Sequence, residues 1–567
     1  MNLKHGLLTP FAFLLFISTS FSQLKRNSSF NYTAQKNITC KSAAVVCAHP
    51  LAGKVGLFIL KNGGNAFDAA IAMQLALAVV YPSAGNLGGG GFMVAHLKDG
   101  RNIALDYREK APAAASRDMY LDSAGNPQMH LSQEGHLAAG VPGTVAGLFA
   151  EMKHASLPFK RLIQPAIDLA ENGFAITASQ AKALNSYRND FLSRNTNPTA
   201  FAKEAEWKAG DMLVQKELSN TLKRIRDKGQ QGFYGGETAN LIVAEMQRGK
   251  GIISLDDLKN YTVAERSPLE FEHRKYHVIT MPLPSSGGIL LEQMMKMVAM
   301  KNISQMRFQT AASVQLMTEV ERRAFADRGE FLGDPDFVKV PVQRLVSDEY
   351  LKERMKDYEP GKAGSSIQTK AGVIRESEQT THLNVLDKFG NAVAITTTLN
   401  DTYGSKTVVT GAGFILNDEM DDFSVKPGVP NMYGAIGNEK NAIAPGKRML
   451  SSMTPTIVLK KGRPYIITGT PGGTTIPTSV FQTLINILEF DMNANDAVNK
   501  PKFHHQWLPD SLFIERDFPA DIKEKLEQMG YQTKTRTSIG RTELILIKRK
   551  SIVAVGDRRG DDDAEGY

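Results

Sequence analysis

At residue 380 the sequence changes character. Upstream, Glu359–Glu378 is rich in Pro, Gly, Ser and charge and lacks apolar periodicity, so it reads as a linker. Downstream, Thr380–Asp387 alternates, with His382, Asn384 and Leu386 on one face and Thr381, Leu383 and Val385 on the other. Lys388-Phe389-Gly390-Asn391 supplies a turn and Ala392–Thr398 runs back, which predicts a β-hairpin. Cutting the chain at this junction would free an α-amine directly beside the Thr380 hydroxyl. Such an amine has a pKa of about 7.7 to 8, so at neutral pH part of it is unprotonated and can serve as base for that hydroxyl. A Thr-Thr pair at a strand start is also ordinary β propensity, and these residues alone leave both readings open.

The remaining elements mix helix and strand. Val45–Cys47 reads as a short strand, and Asn65 caps an Ala-rich stretch, Ala66–Val80, that is apolar on most faces and therefore a buried helix, stopped by Pro82. Gly88-Gly89-Gly90-Gly91 offers close backbone approach and freedom for positive φ; no Gly-Lys-Ser/Thr follows, so it is not a phosphate loop. Leu131 to about Lys356 reads as mainly helical, with windows such as Val141–Lys153 and Val314–Phe331. Strands concentrate in the last third, at Pro455–Lys460, Tyr465–Thr470 and Glu543–Lys548, with a helix at Ile476–Phe490. No solenoid or propeller period is present, and 567 residues suit three to four domains by length alone.

Lys4 and His5 precede an apolar run, Leu7–Ile17, too short to span a bilayer and suited to a signal peptide; Ser20-Phe21-Ser22 places cleavage before Gln23. The expectation is an exported protein, periplasmic or secreted, with residues 1–22 removed and no membrane span left; an uncleaved N-terminal anchor is the alternative. Lys plus Arg, 67, exceeds Asp plus Glu, 59, but the excess is spread thinly, which argues against nucleic acid as partner. Two cysteines, Cys40 and Cys47, exclude a disulfide framework and a multi-thiolate zinc site, leaving one local bridge or two reduced thiols. His504-His505 lacks a third ligand and reads as structural; no metal is expected. Asp561-Asp562-Asp563 reads as a solvated acidic tail.

Searches for a Gly-x-Ser-x-Gly elbow or a His-Glu-x-x-His helix find nothing. A different set of motifs runs in order along the chain. They are Gly63-Gly64-Asn65-Ala66-Phe67-Asp68-Ala69-Ala70, Gly85-Asn86-Leu87 with the glycine run and Phe92, Asp106-Tyr107-Arg108-Glu109-Lys110-Ala111-Pro112, Gln379-Thr380-Thr381-His382, Thr396-Thr397-Thr398-Leu399-Asn400, Asn417-Asp418-Glu419-Met420-Asp421-Asp422-Phe423, Leu450-Ser451-Ser452-Met453-Thr454-Pro455 and Pro471-Gly472-Gly473. Together they resemble the γ-glutamyltransferases (glutathione hydrolases), over about residues 40 to 567.

The resemblance implies an α+β fold, the four-layer αββα sandwich of the N-terminal nucleophile hydrolases, built jointly by two subunits cut from one precursor. The cut would fall at Gln379-Thr380, giving a large subunit, 23–379, and a small catalytic one, 380–567, that form a heterodimer. Thr380 would then attack the γ-carbonyl of glutathione or another γ-glutamyl compound, and the ester would pass to water or to an amino acid or dipeptide acceptor, with no cofactor. Thr398 would hydrogen-bond Thr380, and Gly472 and Gly473 would form the oxyanion hole. Arg108, Ser451 and Ser452 would hold the α-carboxylate, and Asn400, Glu419 and Asp422 the α-ammonium, since both charges must be paired once desolvated. The motif selects Asp422 over Asp421. Arg108 could instead form a surface ion pair with Glu109 or Asp106. Pro430-Asn431-Met432-Tyr433-Gly434 resembles a lid loop gated by Tyr433, favouring small glutamyl substrates over polymers. A cephalosporin-type acylase of the same fold and an unprocessed γ-glutamyl binding protein are the competing readings.

Overall fold

The computed structural model describes residues 33–367, 380–429, 431–432, 437–549 and 551–567. Its centre is two seven-stranded antiparallel sheets. One runs, edge to edge, Asp563–Gly566, Ala44–Cys47, Thr381–Leu386, Ala392–Thr398, Gly90–His96, Asn102–Asp106 and Ala264–Arg266. The other runs Asn37–Cys40, Ser551–Val555, Glu543–Lys548, Arg463–Gly469, Thr456–Lys460, Tyr276–Thr280 and Leu269–His273. Val46, Phe92, Val94 and Ala394 of the first sheet meet Ile279, Ile457, Ile467 and Ile545 of the second in one buried layer. The far side of the second sheet is covered by helices Gly287–Met300, Ala311–Phe331 and Thr475–Leu488. Pro50–Lys61 and Ala66–Val80 cover the first. The result is the expected αββα sandwich.

The hairpin lies at the middle of its sheet, which explains its composition. Every residue of both strands is buried, so the polar ones must find partners inside. His382 bridges Thr396 Oγ1 (2.8 Å) and Asn384 Oδ1 (2.9 Å), and Asn384 donates to the Glu543 carbonyl of the facing sheet (3.0 Å). Burial holds the His382 ring down to about 4, so it is neutral at physiological pH. A Cβ at Gly469 would stand 2.2 Å from that ring, which is why the facing strand has glycine there.

Ala66–Val80 is buried along its whole length and opens with a capping box between Asn65 and Asp68. The helix expected over Val141–Lys153 is shorter, Thr144–Glu151, while Ala311–Phe331 and Thr475–Leu488 match the windows read from periodicity. The stretch read as mainly helical is so, and it also carries the short sheet strands Ala264–Arg266, Leu269–His273 and Tyr276–Thr280. Three expectations need correction. Residues 33–567 form one compact unit, so the length estimate of several domains fails because the two large sheets share a single interior. The glycine run uses close approach but not positive φ: a Cβ at Gly89 would lie 2.1 Å from the Thr398 carbonyl, and one at Gly91 2.6 Å from that of Thr396. The acidic tail is not solvated. Asp562 and Asp563 are fully buried, Asp562 against Arg541 (3.0 Å), and Asp563–Gly566 adds an edge strand to Ala44–Cys47.

Cys40 and Cys47 are free and buried, their thiols donating to the Ala43 and His49 carbonyls. His504 binds Thr478 and Gln506, and His505 contacts Asp510 and accepts the Trp507 N–H. Among the described residues no helix is long and apolar enough to cross a membrane. Residues 1–22, Gln379 and Tyr433 lie outside the described residues.

Candidate active site

Thr380 stands just ahead of the first hairpin strand and is 5% exposed. The register pairs Thr381 with Thr397 and His382 with Thr396, so one step further Thr380 faces Thr398. Beyond Thr398 the chain breaks from the strand: Asn400 adopts φ 79° and returns its N–H to Thr398 Oγ1 (2.8 Å). Asn86 fixes this end of the hairpin from behind, donating to the Thr398 carbonyl (2.9 Å) and Thr397 Oγ1 (3.1 Å) while accepting from Gly89 N and Thr144 Oγ1.

Thr380 lines two cavities. The smaller, about 30 Å³, also takes Thr398, Asn400 and Gly473 near the hairpin end. Arg108, Glu419, Asp422, Ser451 and Ser452 complete its polar wall. The larger, about 240 Å³, is shared by Gly472, Gln180, Tyr403 and Arg541. Gly472 and Gly473 have φ of 134° and 53° and lead into the helix Thr475–Leu488, whose positive end therefore points at the Thr380 region.

The charged wall is built from distant segments. Arg108 follows the strand Asn102–Asp106 and is buried at 1% exposure, so it is not a surface group. Its terminal nitrogens pair with Glu419 and Asp422, and Glu109 lies 3.7 Å away. Glu419–Asp422 is a single 3-10 turn held by Asn417, which accepts from Glu419 N and spans to the Gly88 and Gly140 carbonyls. That turn aims Asp422 at the cavity and Asp421 away from it, toward Ser132 Oγ (2.6 Å) and Met432 N (2.7 Å). Burial pushes Glu419 well above the usual carboxylate range despite Arg108, and raises Asp422 despite Arg108 and Arg328. Burial opposes the charge of Arg108 too, but Glu419 and Asp422 outweigh it and raise its pKa.

All the sequence-selected residues that are described, ten from six separate motifs, therefore meet at the Thr380 site; Gly472 alone faces only the larger cavity. Other wall residues were not singled out, Asn431 and Arg328 among them. Asn431, in the segment read as a lid, donates to Asp422 Oδ1 (3.0 Å). Arg328, near the end of Ala311–Phe331, reads from sequence as a helix C-terminal cation, and no local pattern distinguishes it. Among the described residues no cluster of His, Cys, Asp and Glu could hold a metal ion.

Residues 52–567 match the family model described as gamma-glutamyltranspeptidase. The glutathione hydrolase proenzyme of Escherichia coli (strain K12) is 44% identical over 537 residues, 94% of this chain and 93% of that protein. A crystal structure of γ-glutamyltranspeptidase from Helicobacter pylori is 44% identical with a TM-score of 0.56, covering 57% of this chain and 93% of that one. Cephalosporin acylase from Bacillus halodurans superposes more fully, with a TM-score of 0.81 at 25% identity over 95% of this chain and 99% of that one. With the family's motifs gathered on one αββα sandwich and its model matched over nearly the whole length, the chain belongs to the γ-glutamyltranspeptidase family.

Proposed function

We propose that Thr380 is the nucleophile of a self-processing γ-glutamyltransferase and glutathione hydrolase. The observation that carries this is the position of Thr380 on both cavities: a small one walled by paired cations and carboxyls, and a larger one beyond it. The small cavity suits the zwitterionic end of a γ-glutamyl group, and the larger one the leaving amine or the acceptor. In maturation Thr380 Oγ attacks the Gln379 carbonyl, the acyl group shifts from nitrogen to oxygen, and water releases a large subunit, 23–379, from a small one, 380–567. The freed α-amine of Thr380 takes the hydroxyl proton as Oγ adds to the substrate γ-carbonyl. The Gly472 and Gly473 N–H groups and the adjacent helix end stabilise the oxyanion. The amine departs with a proton, and the γ-glutamyl ester passes to water or to the amine of an amino acid or dipeptide.

Arg108, Ser451 and Ser452 hold the α-carboxylate, and Asn400, Glu419 and Asp422 the α-ammonium; Tyr433 gates the pocket. Export through residues 1–22 puts this reaction in the periplasm or outside the cell. The acylase reading is disfavoured by the charged wall, whose carboxyls an acyl side chain without the α-ammonium would leave unanswered. Release of p-nitroaniline from γ-glutamyl-p-nitroanilide tests the assignment, and Thr380→Ala should give an uncut chain with no activity. Normal processing of that variant would move the nucleophile, with Thr381 next in line. Thr398→Ala should mature more slowly than wild type, and an unchanged rate would remove Thr398 from that role.

A further inference from the structure

Three arginines of the helix Ala311–Phe331 are buried, yet they are used differently. Arg323 gives Nε to the Arg354 carbonyl (2.7 Å) and its terminal nitrogens to Glu319 (2.6 Å) and Asp357 (2.6 Å). Arg322 pairs with Asp510 and Glu319. Arg328, 7% exposed and on the wall of the small cavity, gives only Nε, to Ser286 Oγ (3.1 Å). Its two terminal nitrogens, which carry four of the five guanidinium N–H donors, have no protein partner among the described residues. A buried cation so poorly compensated is costly, and a pocket ligand is what can complete it.

Arg108, in contrast, has one terminal nitrogen on Glu419 and the other on Asp422, so it enters the pocket with its charge compensated, while Arg328 does not. Ser286, which fixes Arg328, donates its N–H (2.8 Å) and hydroxyl (2.6 Å) to the Ser451 carbonyl, so Arg328 is tied to the Ser451-Ser452 segment. We infer that Arg328 is a substrate-binding residue whose planar fork takes the α-carboxylate of the γ-glutamyl donor beside Ser451 and Ser452. This rests on the reading of the small cavity as the glutamyl pocket and adds a specificity determinant to it. The donor's carboxylate meets Arg328 as well as Arg108, while its ammonium meets Glu419 and Asp422, so each charge brought in answers one left under-compensated.

The test is hydrolysis of three anilides by mature wild-type and Arg328→Gln enzyme. γ-Glutamyl-p-nitroanilide carries both charges, glutaryl-p-nitroanilide only the carboxylate, and 4-aminobutyryl-p-nitroanilide only the ammonium. The variant should lose at least about thirtyfold in kcat/KM on the first two, mostly through KM, and less than about threefold on the third. Equal losses on all three, or none, would overturn the inference. A wild-type enzyme inert toward γ-glutamyl-p-nitroanilide would instead sink the pocket reading beneath it. If the variant does not mature or the truncated anilides turn over too slowly, a crystal structure of the wild type with L-glutamate decides. A terminal nitrogen of Arg328 within about 3.2 Å of an α-carboxylate oxygen is expected. A carboxylate bound without Arg328 would contradict it.

Discussion

The middle and the end of the helix Ala311–Phe331 each contribute to a buried charge cluster, and the two clusters are finished to different degrees. At the middle, the Glu319 carboxyl receives Arg323, Arg322, Tyr531 OH (2.6 Å) and Gly364 N (3.0 Å). Burial works against its charge, but Arg322 and Arg323 win and hold Glu319 down to about 2. At the end, Arg328 joins a wall where Glu419 takes Arg108 on Oε1 and nothing on Oε2. There the carboxyls are pushed up and burial holds Arg328 down to about 10, only partly offset by Asp422. Both regions bury arginine beside carboxyl, so burial of charge alone does not mark a site. What marks it is incomplete pairing next to a cavity, where a ligand can supply the missing charges.

If that contrast is right, the two clusters should fail differently. Glu319→Ala leaves two buried guanidinium groups short of an anion and should cost about 3–5 kcal/mol in chemical denaturation, while kcat/KM per folded molecule stays within about threefold. A variant of full stability would show that the helix middle is no more finished than its end.

The pH dependence of stability should also run in opposite directions. Glu319 is held below its unfolded value of 4.5, so its contribution is present above that pH and is lost as pH falls toward about 2. Asp421, beside the pocket, is raised by burial from 3.8 to about 7. Its contribution is whole below pH 3.8 and is lost as pH rises through 7. Asp421→Asn cannot ionise, so between about pH 5 and 8 its stability relative to wild type should improve by on the order of 2 kcal/mol. A difference that stays constant with pH would mean that Asp421 titrates normally.

The smallest expected effect belongs to the pocket's own arginine. Arg108→Lys keeps the charge but cannot fork between Glu419 and Asp422, and kcat/KM for γ-glutamyl donors should fall at least about tenfold, near 1.4 kcal/mol, with little change in stability. Unchanged kinetics would take Arg108 out of the pocket and merge the two clusters into one structural class.

Local pattern made the hairpin and the buried helix Ala66–Val80 legible, because alternation and an unbroken apolar run each have one good structural solution. The wall from Arg108 to Ser452 was legible only as motifs whose residues resemble a family's; nothing local says that Arg108 and Asp422, 314 positions apart, touch. Asp562 and Asp563 misled for the same reason. A run of like charge reads as solvated, whereas Asp562 meets Arg541 and Asp563 accepts the Gln35 N–H (2.7 Å), partners that only the fold brings together. Arg328 was hidden because a buried, under-partnered cation and a helix-end cation look alike until the neighbours are known.

The central claim is that Thr380 becomes the N-terminus of a separate chain, and intact-mass analysis with N-terminal sequencing of the purified protein tests it directly. The account predicts two pieces of about 39 and 21 kDa, the smaller beginning Thr380-Thr381-His382. A single uncut chain of mature length, or a small piece with any other first residue, would contradict it.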